Sequence, residues 1–296
     1  MLKALLSALA VLTIYFTILF IKDYRLTVKE GRLEKTSFFS MGVVGFVTNF
    51  FDALGIGSFA TITAISKQFK LIEDKNIPGT LNVSLTIPVV IEAFIFIKVI
   101  EVDPITLIAL IGAATVGAIF GAGVVAKLDV KKIQLGMGVA LLVVAIIMTL
   151  QQLNIFPSGG DAIGLSGAKL IFASIANLIL GALMTLGIGL YAPCMALVFG
   201  LGLSPEIAFP IMFGSCAFLM PAAGTKFIKA GAYDRKASMA FTIFGIMGIV
   251  IAVYIVKTLP LDILKWVVAA VIFYTSAMMF KSFFKPTQLK SAELRA

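Results

Sequence analysis

Histidine is absent from this 296-residue chain. Its absence removes the commonest metal ligand and the usual proton carrier near neutral pH. Cysteine is scarce too: only Cys194 and Cys216, both in apolar segments and at a spacing that fits no zinc site. No metal is expected. There is no GxxxxGKS/T phosphate loop and no strand–helix GxGxxG, so the chain is not expected to be an ATPase or to bind a nucleotide cofactor. No Ser-His, Asp-Asp or metal-ligating set is visible, which argues against an enzyme. Charge is sparse as well. Asp, Glu, Lys and Arg make up 13% of residues, about half the share of a soluble domain.

Apolar sequence takes the place of charge. Hydrophobic residues are 60% of the chain and the mean hydropathy is +1.08. Such a chain has too little polar surface to cover a water-facing globule and must place apolar surface against a lipid bilayer. The net charge of +9 does not indicate nucleic acid, because Lys and Arg fall at the ends of apolar runs. That is the pattern of a multi-pass protein with positively charged inner loops. Spans are expected near 4–22, 77–98, 104–127, 131–153, 205–229, 236–257 and 261–283, each about the 20 residues a crossing helix needs. The first follows Lys3, lacks a small-x-small cleavage site, and reads as a retained helix.

Two further apolar stretches, about 38–65 and 170–201, are longer than a span requires. Both are interrupted by the same four residues, Leu54-Gly55-Ile56-Gly57 and Leu186-Gly187-Ile188-Gly189. At the same offset of 132, Phe59-Ala60 matches Tyr191-Ala192 and Pro78 matches Pro210; at 131, Asp103 matches Asp234 and Leu128 matches Leu259. Fixed-offset similarity marks an internal repeat. The chain therefore divides into an N-terminal helix and basic loop (1–37), a first repeat (38–153), a connecting loop (154–168), a second repeat (169–283) and a cytoplasmic tail (284–296).

Each interrupted stretch is either a long tilted helix with a glycine kink or a re-entrant hairpin. If both cross, the 24 Lys and Arg divide 9 to 15 between the two sides; if both turn back, they divide 19 to 5. The stronger bias selects hairpins. Residues 39–53 and 58–67 would make about 22 and 15 Å of helix, suited to half-membrane excursions. A hairpin plus three crossings is an odd count, so the two halves would be inverted, as in many secondary transporters. The expected fold is an all-α polytopic membrane protein of two inverted repeats, each a broken or re-entrant helix pair plus three transmembrane helices, with one extra N-terminal helix.

Glycine turns meeting at the midplane would bring two helix N-termini together, near Ser58 and Leu190. Their unpaired N–H groups favour an anion without a fixed Lys or Arg. Candidate binding residues are Gly55, Gly57, Ser58, Thr61, Gly187, Gly189, Tyr191 and Cys194, with Thr63 able to add a hydroxyl; the alternative is that the glycines serve close packing. Asn82 and Ser215 lie in the polar starts of the matching spans after Pro78 and Pro210, where Thr80, Ser84 and Thr86 also fall; such residues line a site or glue helices. Asp52 lies in an apolar stretch three residues after Asn49, so both are candidates for coupling to a proton or sodium, and Asp52 could alternatively hydrogen-bond the hairpin backbone. Glu92 stands nearer a membrane end, where snorkelling or an ion pair is expected. Gly117 and Gly121 form a GxxxG, whose default meaning is close helix packing.

The paired repeat, the glycine-rich break in a helix and the polar span that follows resemble the sulfite exporter TauE/SafE family, also called the toluenesulfonate uptake permeases. The resemblance covers nearly all of 40–283 and is carried by Gly55, Gly57, Gly187, Gly189 and the spans starting at Pro78 and Pro210. Family members have a longer glycine cluster followed by proline; here Thr61 stands in the first hairpin where Pro193 stands in the second. The resemblance implies alternating-access transport of small sulfur-containing anions such as sulfite or sulfonates, in a prokaryotic inner membrane. The carboxylates Asp52 and Glu92, with no central Lys or Arg, leave a cation or proton-coupled transporter or channel as the other reading.

Overall fold

The computed structural model of the chain describes residues 2–54, 56–155, 159–187, 189–255 and 262–285. Gly55, Ile188 and nearly all of the expected cytoplasmic tail lie outside them. Among the described residues there are twelve α-helices and no strand. They are α1 (Leu2–Lys29), α2 (Phe38–Asp52), α3 (Ser58–Gln68), α4 (Ile77–Ser84), α5 (Thr86–Val99), α6 (Pro104–Val125), α7 (Val130–Gln152), α8 (Gly167–Met184), α9 (Tyr191–Gly200), α10 (Ala208–Ala230), α11 (Arg235–Ile255) and α12 (Asp262–Phe284). Seven helical stretches among them are long and apolar enough to cross a membrane. The chain is an all-helical protein with the helix complement of a multi-pass membrane protein. Every expected span holds a helix. α8 adds to them: at 18 residues it too is long enough to cross, whereas α2 and α9, at 15 and 10 residues, are short.

Local sequence sets the helix ends. Asp103, Asp129 and Asp234 start α6, α7 and α11 by accepting the N–H three residues on, at 2.8, 2.9 and 2.8 Å. These hydrogen bonds to the charged form hold the Asp103 and Asp129 carboxyls below the usual range. The span expected over 77–98 is broken at Leu85, between α4 and α5. Pro88 has no N–H for the Ser84 carbonyl, four residues back. The Thr242 hydroxyl of α11 lies 2.8 Å from that carbonyl and 2.8 Å from the Ser238 carbonyl of its own helix, with one hydrogen to share between them.

The helices pack in exchanged pairs. α2 lies on α11 and α8 lies on α6; α7 lies on α12; α10 and the α4–α5 pair form the buried centre. Glycines permit the close approaches. A methyl at Gly117 of α6 would run into the Leu178 carbonyl of α8, and a methyl at Gly248 of α11 would run into the Phe46 carbonyl of α2. Gly121 of the GxxxG likewise meets Ala182. Close packing is thus what this motif does here.

Both broken helices return to the end from which they set out. Before α2, Glu34 accepts the N–H groups of Arg235 and Lys236; after α3, Thr80 accepts the N–H of Asp234, from the same turn. Around the second, the Lys169 ammonium donates to the Leu201 carbonyl, and Ser204 N–H to Ala162. α1 packs against α10 and leaves Val11, Ile14 and Ile18 exposed on its outer face.

Candidate functional site at the junction of the broken helices

The two breaks meet. A methyl at Gly57 would lie 3.8 Å from the Tyr191 ring, and one at Gly189 would lie 3.6 Å from Phe59 Cβ. The partners exchange at the repeat offset, since Gly57 matches Gly189 and Phe59 matches Tyr191. Left-handed backbone, however, falls at Gly57 (φ +86°) and Gly187 (φ +98°), and not at Gly189. The glycines are therefore not equivalent. Gly57 and Gly187 turn the chain, while Gly189 lies beside Phe59 at a spacing that would admit a methyl.

Asp52 ends α2 and reaches across the break to the start of α3. Its Oδ1 accepts the Ser58 N–H at 2.6 Å, and Gly57, the residue preceding α3, has no side chain to do so. Asp52 thus caps the hairpin backbone, one of the two roles open to it. On its other side, the Tyr191 hydroxyl lies 3.3 Å from Asp52 Oδ2 and 3.3 Å from Glu92 Oε2. Asp52 and Glu92 are 1% and 0% exposed. Glu92 departs from expectation: it makes no ion pair among the described residues and does not reach water. It sits two turns inside α5, facing the junction.

Asp52, Gly57, Ser58, Phe59, Val89, Met184, Gly189, Leu190 and Tyr191 surround a space of about 10 Å³, room for about one water. The junction is closed in this conformation. Cys194 is buried on α9, and Cys216 of α10 contacts the Met184 sulfur at 3.6 Å. Thr61 bonds the backbone of its own turn, at Ser58 and Gly57, and the buried Thr63 hydroxyl has no partner among the described residues.

Three expected residues face elsewhere. The Asn49 amide donates to Gly45 of its own helix and packs against Gly245 of α11. Asn82 donates to Pro78, and Thr86 to Asn82, along one face of the α4–α5 pair. Ser215 is bonded by Asn177, at 3.1 Å, between α10 and α8. Of these bonds, only the Asn177–Ser215 bond joins two packed helices; Asn49 and Asn82 bond the turn before them in their own helices.

In comparisons with known proteins, no family model, no curated protein and no solved structure matches the chain.

Proposed function

We propose that the protein is a secondary membrane transporter for a small anion, working by alternating access at the junction of its two broken helices. The observation that carries this reading is the Asp52 carboxylate on the Ser58 N–H at the start of α3. A buried helix N-terminus already holding an anionic group is a seat suited to an anion. We take the substrate class, a sulfur-containing oxyanion such as sulfite or a sulfonate, from the resemblance to the TauE/SafE permeases.

The inversion of the two halves belongs to this proposal. It is supported by the exchanged packing of α2 on α11 and α8 on α6. It is also supported by the direction of α6 and α10: Lys226, near the end of α10, bonds the Ile119 carbonyl near the end of α6. The matching caps Asp103 and Asp234, at the start of α6 and just past the end of α10, then stand at opposite ends. The positive-inside rule places the Asp234 end and the C-terminus in the cytoplasm.

A second reading is favoured by the two buried carboxylates, which have no Lys or Arg bonded to them among the described residues: the protein carries a cation, with sodium the obvious test ion. Flux into liposomes of labelled sulfite against sodium separates the two.

A further inference from the structure

We propose that Glu92, Tyr191 and Asp52 form a proton relay in which Glu92 carries the proton and Asp52 is the ionised member. The inference deepens the transporter reading by naming the coupling ion and the residue that holds it.

Hydrogen-bond accounting leads to it. A tyrosine hydroxyl has one hydrogen to donate, and an ionised carboxylate can only accept. The Tyr191 hydroxyl faces two carboxyl groups at 3.3 Å each. It can donate to one; the other joins the network only by donating to the phenol oxygen, and so must carry a proton. The surroundings say which. Asp52 has two donors aimed at it, the Ser58 N–H on Oδ1 and the Tyr191 hydroxyl on Oδ2. Among the described residues, Glu92 Oε1 is buried without a partner, and Oε2 is reached by the Tyr191 hydroxyl. An isolated charge is costly to bury, and two charges without a cation more so. Among the described residues, the thiols Cys194 and Cys216 also lie within electrostatic reach of the cluster.

Transfer runs in one direction from this state. The Glu92 proton passes to the Tyr191 oxygen as the Tyr191 hydrogen passes to Asp52 Oδ2. Glu92 is left as the carboxylate, Tyr191 neutral and Asp52 as the acid, with the net charge unchanged. Asp52 then loosens its hold on the Ser58 N–H, which becomes available to the substrate anion. The relay has no counterpart at the repeat offset, because Met184 and Phe59 stand at the offset positions of Asp52 and Tyr191.

Infrared spectroscopy of the purified protein in liposomes, without added solute, tests this. A carboxylic acid C=O band is expected at neutral pH. It should move on carbon-13 labelling of glutamate but not of aspartate, persist in Asp52→Asn and vanish in Glu92→Gln. Should Glu92→Gln fail to fold, the labelling result on the wild-type protein decides alone. Absence of the band, its movement with aspartate labelling, or its survival in Glu92→Gln would overturn the relay. The band is read without transport, so a failure of flux would contradict the transporter reading and leave the relay to be judged on the spectrum.

Discussion

The Asp52 carboxylate accepts the Ser58 backbone N–H at 2.6 Å and thereby occupies the start of α3. On the proposed function, substrate anion and carboxylate compete for the same donor, so a proton on Asp52 should favour binding of the anion. Asp52→Asn keeps an acceptor for Ser58 but cannot ionise. Uptake by the variant in liposomes should lose most of its dependence on external pH while the protein stays folded; a pH profile identical to wild type would leave Asp52 with the capping role alone. Asp52→Ala removes the acceptor and should lower stability by about 1–3 kcal/mol, the cost of an unsatisfied buried N–H.

Gly57 and Gly187 hold left-handed backbone at φ +86° and +98°. A β-branched residue resists those angles, and left-handed backbone costs an ordinary residue about 1–2 kcal/mol even before branching is counted. Gly57→Val and Gly187→Val should abolish transport while still inserting in the membrane. Gly189→Ala should be tolerated, because its methyl would meet Phe59 at an ordinary 3.6 Å. Uptake and membrane abundance measured side by side check all three; full activity in both valine variants would separate the turns from function.

Much of this architecture was legible in the sequence. Long apolar runs give long helices because backbone polar groups in lipid must be satisfied within the segment. The Leu-Gly-Ile-Gly pair marked both breaks and brought Gly57, Ser58 and Tyr191 into view. The roles of individual residues were less legible, because they depend on which faces meet. Glu92 joins the junction through the Tyr191 hydroxyl, 99 residues away in sequence, a contact no local pattern encodes. Asn82 and Ser215 looked like site residues by polarity, yet their partners are Pro78 and Asn177. Pro88 marks the break at Leu85, but hydropathy continues unbroken through it and hides the break.

Burial raises the Asp234 carboxyl from 3.8 to about 6, against the lowering effect of the Ala237 N–H it caps. Glu34 adds to the rise, and Lys236 opposes it. Between these values the folded protein holds a proton that the unfolded chain releases. Stability should therefore fall as pH rises from about 4 through about 6, then level off. Asp234→Asn keeps an N-cap acceptor and should remove this contribution from the pH dependence. Thermal unfolding of both proteins across the range is the check; the same slope in the variant would assign it to other groups.

Of the 24 Lys and Arg, 19 fall on the C-terminal side when both broken helices turn back. A cytoplasm-only reporter fused after Ala296 should be active, and alkaline phosphatase at the same place inactive. The opposite result would reverse the assignment of sides.

The central claim is that protons and a small anion meet at the Asp52–Tyr191–Glu92 junction. The most direct test is uptake of labelled sulfite by purified protein in liposomes, with and without an imposed pH gradient, beside labelled sodium. The expected result is sulfite flux that follows the proton gradient, exceeds that of sodium, and loses its response to the gradient in Tyr191→Phe. Sodium flux without sulfite flux, or sulfite flux indifferent to the gradient in the wild-type protein, would contradict it.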